Sequence, residues 1–289
     1  MGSYGELIRE IRLSKGLTQK EVYTGIISRS YAIGFEKGKH EITLSLFEEI
    51  LKRIMVPLDE FFFIYRNFSS TEDDSFWIDF VELSGKNDVV GMQTLLDKIT
   101  LERTEQTEVR KAILHTRIQT INHYLRTNVF DESNISDEYK KIIHDYLWKM
   151  QTWTLEEIRI FANSISFFEE EVQIHFYQIM LKSYEKYRYY DRGRLMYCHL
   201  FAGMIDELII QNKLEAAKQV WEKLKEASET NSSYNTAFYR IVCNYYQALI
   251  WMKEGEVEKG YRQAKRALQT WRELHYETIA DLYFLLLKG

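Results

Sequence analysis

Proline is all but absent from this chain: Pro57 is the only one in 289 residues, and glycine occurs just 13 times. Strand-rich folds need such residues at frequent turns, so their scarcity predicts an all-α protein. Cysteine is equally sparse. Cys198 and Cys243 are too few for a disulfide framework. No apolar run approaches the roughly 20 residues that span a bilayer, and the opening MGSYGELIREIR lacks the basic-then-apolar layout of a signal peptide. A cytoplasmic protein with no membrane partner is expected. Catalytic signatures are missing too. There is no phosphate-binding glycine loop and no His-Glu-x-x-His, and the seven histidines, His115, His123 and His144 among them, show no metal-ligand spacing. Cys198 and His199 adjoin in sequence, which does not make a catalytic pair. Neither an enzyme nor a cofactor is expected.

What is present is core-forming material. Hydrophobic residues are 45% and aromatic residues 15% of the chain, enough for one large domain or two ordinary ones. The net charge of −5 is unevenly shared: residues 1–66 balance at +1 and the remainder at −6. A head carrying Arg9, Arg12, Lys15, Lys20, Arg29, Lys37 and Lys39 could meet phosphates while an acidic body stays clear.

The head reads as five short helices. The first spans about Ser3–Leu13 and ends at Gly16. The second starts at Thr18, where Thr18 and Glu21 form a capping box. The third is capped by Ser28 and stops at Gly38, the fourth runs from Thr43 through Ile54, and the fifth follows Pro57. The polar stretch NFSSTEDDS then suggests a linker over 67–75, giving domains at 1–66 and 76–289.

The larger domain is self-similar. Ala248, Trp251, Gly255, Val257, Gly260, Ala264 and Ala267 are spaced by 3, 4, 2, 3, 4 and 3. The same spacing recovers Ile205, Leu208, Asn212, Leu214, Ala217, Trp221 and Leu224, and again Phe80, Leu83, Asn87, Val89, Met92, Leu96 and Ile99. Each set reads as a helix ending at Gly or Asn and a second helix packing back through small residues. Two degenerate pairs lie between, over Glu108–Arg126 with Ile135–Met150 and over Thr154–Phe167 with Glu170–Tyr187. A closing helix, Glu277–Lys288, completes a tetratricopeptide-like α-solenoid.

In a helix-turn-helix pair the second helix enters the major groove with its first residues at base edges. Ser28 can cap that helix and donate to a phosphate, Arg29 offers a bidentate fork to guanine, and Ser30 is a short second reader. Gln19 and the cations Arg12, Lys37 and Lys39 complete the candidate DNA-binding set. The run RLSKGLTQKEV…SRSYAIGFEKGK resembles the lambda-repressor/Xre-type helix-turn-helix. In that family an arginine of the first helix pairs with a glutamate ending the third, which implies an ion pair between Arg12 and Glu36. The turn glycine falls at Gly25, one residue earlier than the general pattern places it. With a helical repeat domain of this size behind it, the chain is similar to the Rgg (Rgg/GadR/MutR) regulators.

That resemblance implies a homodimer that binds promoter DNA and is controlled by a short hydrophobic signalling peptide, a quorum-sensing function. It also implies Asn and Arg contacts in the peptide pocket. Arg159 and Asn163 share a helical face, and Asn244 and Tyr245 sit in the last hairpin, so these four are the peptide-binding candidates. The apolar closing helix, with Leu282, Phe284, Leu285 and Leu287, is a candidate interface. Two alternatives stay open: a tetratricopeptide scaffold for protein partners, and an Xre-type repressor without a ligand.

Overall fold

A computed structural model describes residues 2–99, 104–127, 134–230 and 234–288, and every regular element among them is a helix. The chain divides into two compact units, Met1–Lys86 and Asn87–Gly289.

The first unit opens with α1 (Tyr4–Ser14), α2 (Gln19–Tyr23), α3 (Arg29–Phe35), α4 (Leu44–Ile54) and α5 (Leu58–Tyr65). These are the five helices expected; α1 is displaced by a residue, and α3 ends at Phe35, ahead of the expected stop at Gly38. Reciprocal capping boxes start α1 at Ser3/Glu6 and α2 at Thr18/Glu21, and the Ser28 hydroxyl accepts from the Tyr31 amide to start α3. Each satisfies amide donors that have no partner inside the helix. Pro57 precedes α5, where a missing N–H costs nothing. Ile8, Val22, Phe35, Ile50 and Phe61 form the centre of the core. Gly5 is required by close approach: a Cβ there would stand 1.8 Å from the Phe35 carbonyl oxygen. A sixth helix, α6 (Glu72–Gly85), is capped by Thr71 and so begins inside the stretch read as linker, after a turn through Asn67 and Phe68, both at positive φ.

One carboxylate ties the first three helices together. Glu36, 2% exposed, accepts from Arg12 Nε at 2.6 Å and Nη2 at 2.9 Å, from Gln19 Nε2 at 2.7 Å and from the Tyr23 hydroxyl at 2.8 Å. Arg12 Nη1 donates to the Leu17 carbonyl, closing the loop between α1 and α2. Burial alone would raise the Glu36 carboxyl, but the hydrogen bonds from Arg12, Gln19 and Tyr23 hold it below its usual range. The same pairing with Glu36 raises Arg12. Outside this node, Lys15 Nζ donates to the Ile54 and Met55 carbonyls at the end of α4, placing a cation at the negative end of that helix.

The second unit continues with α7 (Val89–Ile99), α8 (Glu105–Thr127), α9 (Asp137–Trp148), α10 (Leu155–Ala162) and α11 (Glu170–Tyr187). It ends with α12 (Asp191–Ile210), α13 (Leu214–Glu229), α14 (Ala237–Lys253), α15 (Val257–Glu273) and α16 (Glu277–Lys288). Packing runs mainly between neighbours in sequence, as in a solenoid, with α12 also touching α14 and α10. The turn residues singled out by the repeat spacing, Asn87, Asn212 and Gly255, all adopt left-handed backbone, at φ 52°, 57° and 96°. Asn212 and Gly255 each sit in a double bond set: Lys213 and Glu256 amides reach back to Leu208 and Trp251, while Asn212 and Gly255 amides reach Ile209 and Met252. That is the Schellman geometry, which sends the chain back on itself. Gly260 lets α15 close on α14, since a Cβ would stand 2.5 Å from the Ala248 carbonyl oxygen.

One expectation is corrected. The helix expected over Thr154–Phe167 stops at Ala162, followed by a 3-10 turn over Ile165–Phe167. Asn163 Nδ2 donates to the Arg159 carbonyl and Ser164 Oγ to the Ile160 carbonyl, and side chains that take the last carbonyls end a helix. The helix carrying Ile205 and Leu208 begins at Asp191. Polar links brace this region: Glu157 completes a capping box with Thr154 and accepts from Tyr146 at 2.8 Å, and Arg110 of α8 reaches Glu156 of α10 at 2.6 Å.

Removing Glu36 strands a buried guanidinium, so Glu36→Ala should destabilise the first unit by about 3–5 kcal/mol. Amide exchange in α1–α3 of the full chain is the measurement, and unchanged protection would exclude a structural role for the pair. The lowered carboxyl also fixes a pH direction. Its stabilisation is complete above the unfolded value of about 4.3 and is lost as pH falls through the lower folded one. Acid should therefore open α1–α3 less steeply in Glu36→Gln than in the parent chain.

Candidate nucleic-acid interface

The first turn of α3 points outward. Ser28, Arg29 and Ser30 are all exposed, and Ser28 Oγ lies 3.2 Å from Ser30 Oγ while still capping the helix. Arg29 makes no hydrogen bond or ion pair with any described residue, so its guanidinium is available. Behind it, Tyr31 stacks on His40 at 4.8 Å and donates its hydroxyl to the Glu41 carbonyl at 2.7 Å. This braces the loop that follows α3. Lys37 and Lys39 are exposed on that loop.

Gln19 is half-buried, and its Nε2 is committed to Glu36. That bond fixes the side chain while its carbonyl oxygen and second N–H keep their capacity for further hydrogen bonds. A cleft of about 500 Å³ brings Gln19 and Arg29 together, lined also by Thr18, Lys20, Tyr23, Thr24, Ile27 and Ala32. Lys20 was expected only as one of the head's cations, and Thr24 was not among the expected contacts. Thr24, the C-cap of α2, lies four residues on from Lys20 and donates its hydroxyl to the Lys20 carbonyl. Arg53 of α4 donates to the Glu21 carbonyl and holds the far end of α2.

Arg12 does not belong with this set. At 6% exposed, with Nε and both Nη atoms committed to Glu36 and Leu17, it is an internal strut. A guanidinium sealed in the core cannot reach a phosphate.

The body candidates differ in exposure. Arg159 is partly exposed and lies 3.8 Å from Glu156. Asn163 spends its amide on the end of α10. Asn244 is exposed, but its neighbour Tyr245 is fully buried, with its hydroxyl on the Tyr283 carbonyl and its ring against Tyr246, Trp271 and Tyr283. Adjacent helical residues point about 100° apart, so an exposed Asn244 left Tyr245 to the core. Tyr245 is therefore withdrawn from the peptide set. In the candidate interface helix, Phe284 and Leu287 are half-buried, whereas the side chains of Leu282 and Leu285 lie outside the described set.

Comparison with known proteins agrees with this geometry. Residues 93–284 match the family described as HTH-type transcriptional regulator Rgg, C-terminal domain, and residues 8–61 match the helix-turn-helix family. A solved structure assigned as a transcriptional regulator from Listeria monocytogenes EGD-e is 88% identical, with a TM-score of 0.92 over 99% of this chain and 96% of that one. The Streptococcus dysgalactiae SHP pheromone receptor Rgg2 shares the fold at 18% identity, with a TM-score of 0.76 over 97% of both chains. The PrgX/cCF10 complex does so at 17% identity, with a TM-score of 0.73 over 99% of this chain and 98% of that one. With a family match over most of its length and a helix-turn-helix head presenting an open recognition turn, the chain belongs to the Rgg family of helix-turn-helix transcriptional regulators.

Proposed function

We propose that this regulator binds promoter DNA as a homodimer and that a short hydrophobic signalling peptide, held by its body, sets its activity. The observation that carries the DNA reading is the uncommitted Arg29 on the exposed first turn of α3, above a cleft that also holds Gln19. Arg29 and Ser30 read base edges, while Ser28, Gln19, Lys37 and Lys39 meet phosphates. One such unit reads a half-site, which is why a dimer is needed. In this reading the helices of residues 1–66 act as the DNA-binding domain and the helical repeats from Asn87 onward as the sensing and dimerising domain, with α6 joining the two in sequence.

Support for the peptide comes from relatives of the same fold: Rgg2 is a pheromone receptor, and PrgX has been solved with cCF10. Arg159 and Asn244 remain the peptide contacts in this reading, with Asn163 shaping the wall by ending α10. The protein works in the cytoplasm and catalyses no reaction. Among the described residues no helix is long and apolar enough to cross a membrane, and no group of His, Cys, Asp and Glu could hold a metal ion.

Arg29→Ala should cost about 1–3 kcal/mol on the cognate operator and relax the preference at one base pair. Lys37→Ala should weaken all sequences alike and reduce the salt slope by about 1. A binding-site selection followed by salt titration separates the two, and an unchanged base preference in Arg29→Ala would remove it from the reading set. Arg159→Ala should weaken peptide binding about tenfold while leaving peptide-free DNA affinity unchanged. Calorimetry with a pool of synthetic hydrophobic peptides tests this, and failure of every peptide to bind would leave a repressor without a ligand.

A further inference from the structure

Gly34 stands one turn on from Ser30, on the same face of α3. Its φ is not among the positive ones, so the backbone does not demand glycine there. Glycine is also a poorer helix former than alanine. The reason for it is His40. A Cβ at residue 34 would collide with Cδ2 and Nε2 of the His40 ring, which covers the buried glycine. The ring takes the space that a side chain of α3 would otherwise fill.

The loop after α3 delivers the ring by a fixed path. Gly38, at φ 70°, turns the chain back, and the Lys39 and Gly38 amides donate to the Gly34 and Phe35 carbonyls, each at 2.9 Å. Tyr31 then stacks on the His40 ring at 4.8 Å, with the planes 23° apart, and its hydroxyl holds the Glu41 carbonyl. A ring fixed on two sides has little freedom left to lose in a further contact. His40 is nevertheless exposed, and neither ring nitrogen bonds to a described residue. The ring meets Gly34 edge-on, since a Cβ there would be nearest Cδ2 and Nε2 and 3.2 Å from Cγ. Nδ1 is the ring atom opposite that edge, so it points away from the helix. An imidazole nitrogen donates or accepts according to its tautomer, and base edges in the major groove present both kinds of partner.

We propose that His40 is a specificity-determining residue: it lends α3 the side chain that the helix lacks at Gly34 and hydrogen-bonds through Nδ1 to a base edge beside those met by Arg29 and Ser30. The proposal rests on the DNA reading of α3 given above and adds to it a contact from outside the helix. Tyr31 is then a positioning residue, acting on the bases only through the ring it holds.

The test is a binding-site selection from random duplex DNA with the full chain, followed by salt titration and repeated with variants at both positions. His40→Phe keeps a flat ring on Tyr31 and over Gly34 but carries no nitrogen. It should relax the preference at one base pair by about tenfold, at a position other than the one relaxed by Arg29→Ala, and keep the salt slope of the parent chain. Gly34→Ala displaces the ring and should relax that same base pair. Gly34→Ala combined with His40→Ala should bind no worse than His40→Ala alone, because the collision is gone. His40→Phe with the base preferences of the parent chain overturns the proposal. So does an equal loss on every sequence, which would make His40 a phosphate contact or a brace of the loop. A parent chain that selects no sequence at all would overturn the DNA reading, and this contact with it.

Discussion

The carboxylate of Glu36 accepts four hydrogen bonds, from Arg12, Gln19 and Tyr23, and through them α1, α2 and α3 share one buried charge. A helix of five residues such as α2 has no independent stability in water. Its position depends on this node, which takes Gln19 and Tyr23 at its two ends, and on Arg53, which donates to the Glu21 carbonyl between them. The node also reaches the cleft beside Arg29, because the Gln19 amide donates to the same carboxylate that neutralises Arg12. Removing the charge from the core would affect that cleft and the fold together.

The body is organised differently. No single group controls it. Neighbouring helices bury one another in succession, and left-handed turns set the direction of return at Asn212 and Gly255. Stability in such an array accumulates pair by pair, so a local change is felt most by the adjoining helices. The final pair is closed by aromatic packing, with the Tyr283 ring of α16 stacked on Trp271 at 4.7 Å.

Much of this was legible because the relevant signals are local. Ser3, Thr18 and Ser28 mark helix starts by chemistry that operates within four residues, and Asn212 and Gly255 mark helix ends for the same reason. The Arg12–Glu36 pair came from resemblance, since nothing in spacing alone joins residues 24 apart. What failed was the assignment of faces. Tyr245 was placed in the groove and lies in the core, because periodicity locates a stripe without saying which neighbour covers it. The early end of α10 was missed because Asn163 and Ser164 end it with their side chains, without a glycine or proline to announce it.

The separation between the two ends of α3 has an evolutionary consequence. Ser28, Arg29 and Ser30 occupy its exposed start, whereas Ala32, Phe35 and Glu36 are sunk in the core at its finish. About half a turn separates Ser30 from buried Ala32, and about one and a half turns separate it from Phe35. Drift at Arg29 and Ser30 would, on the proposed reading, retune which operator is chosen while leaving the scaffold and its Ser28 cap intact. Duplicated copies of such a regulator can thus diverge in their target promoters without first acquiring compensating changes in the fold.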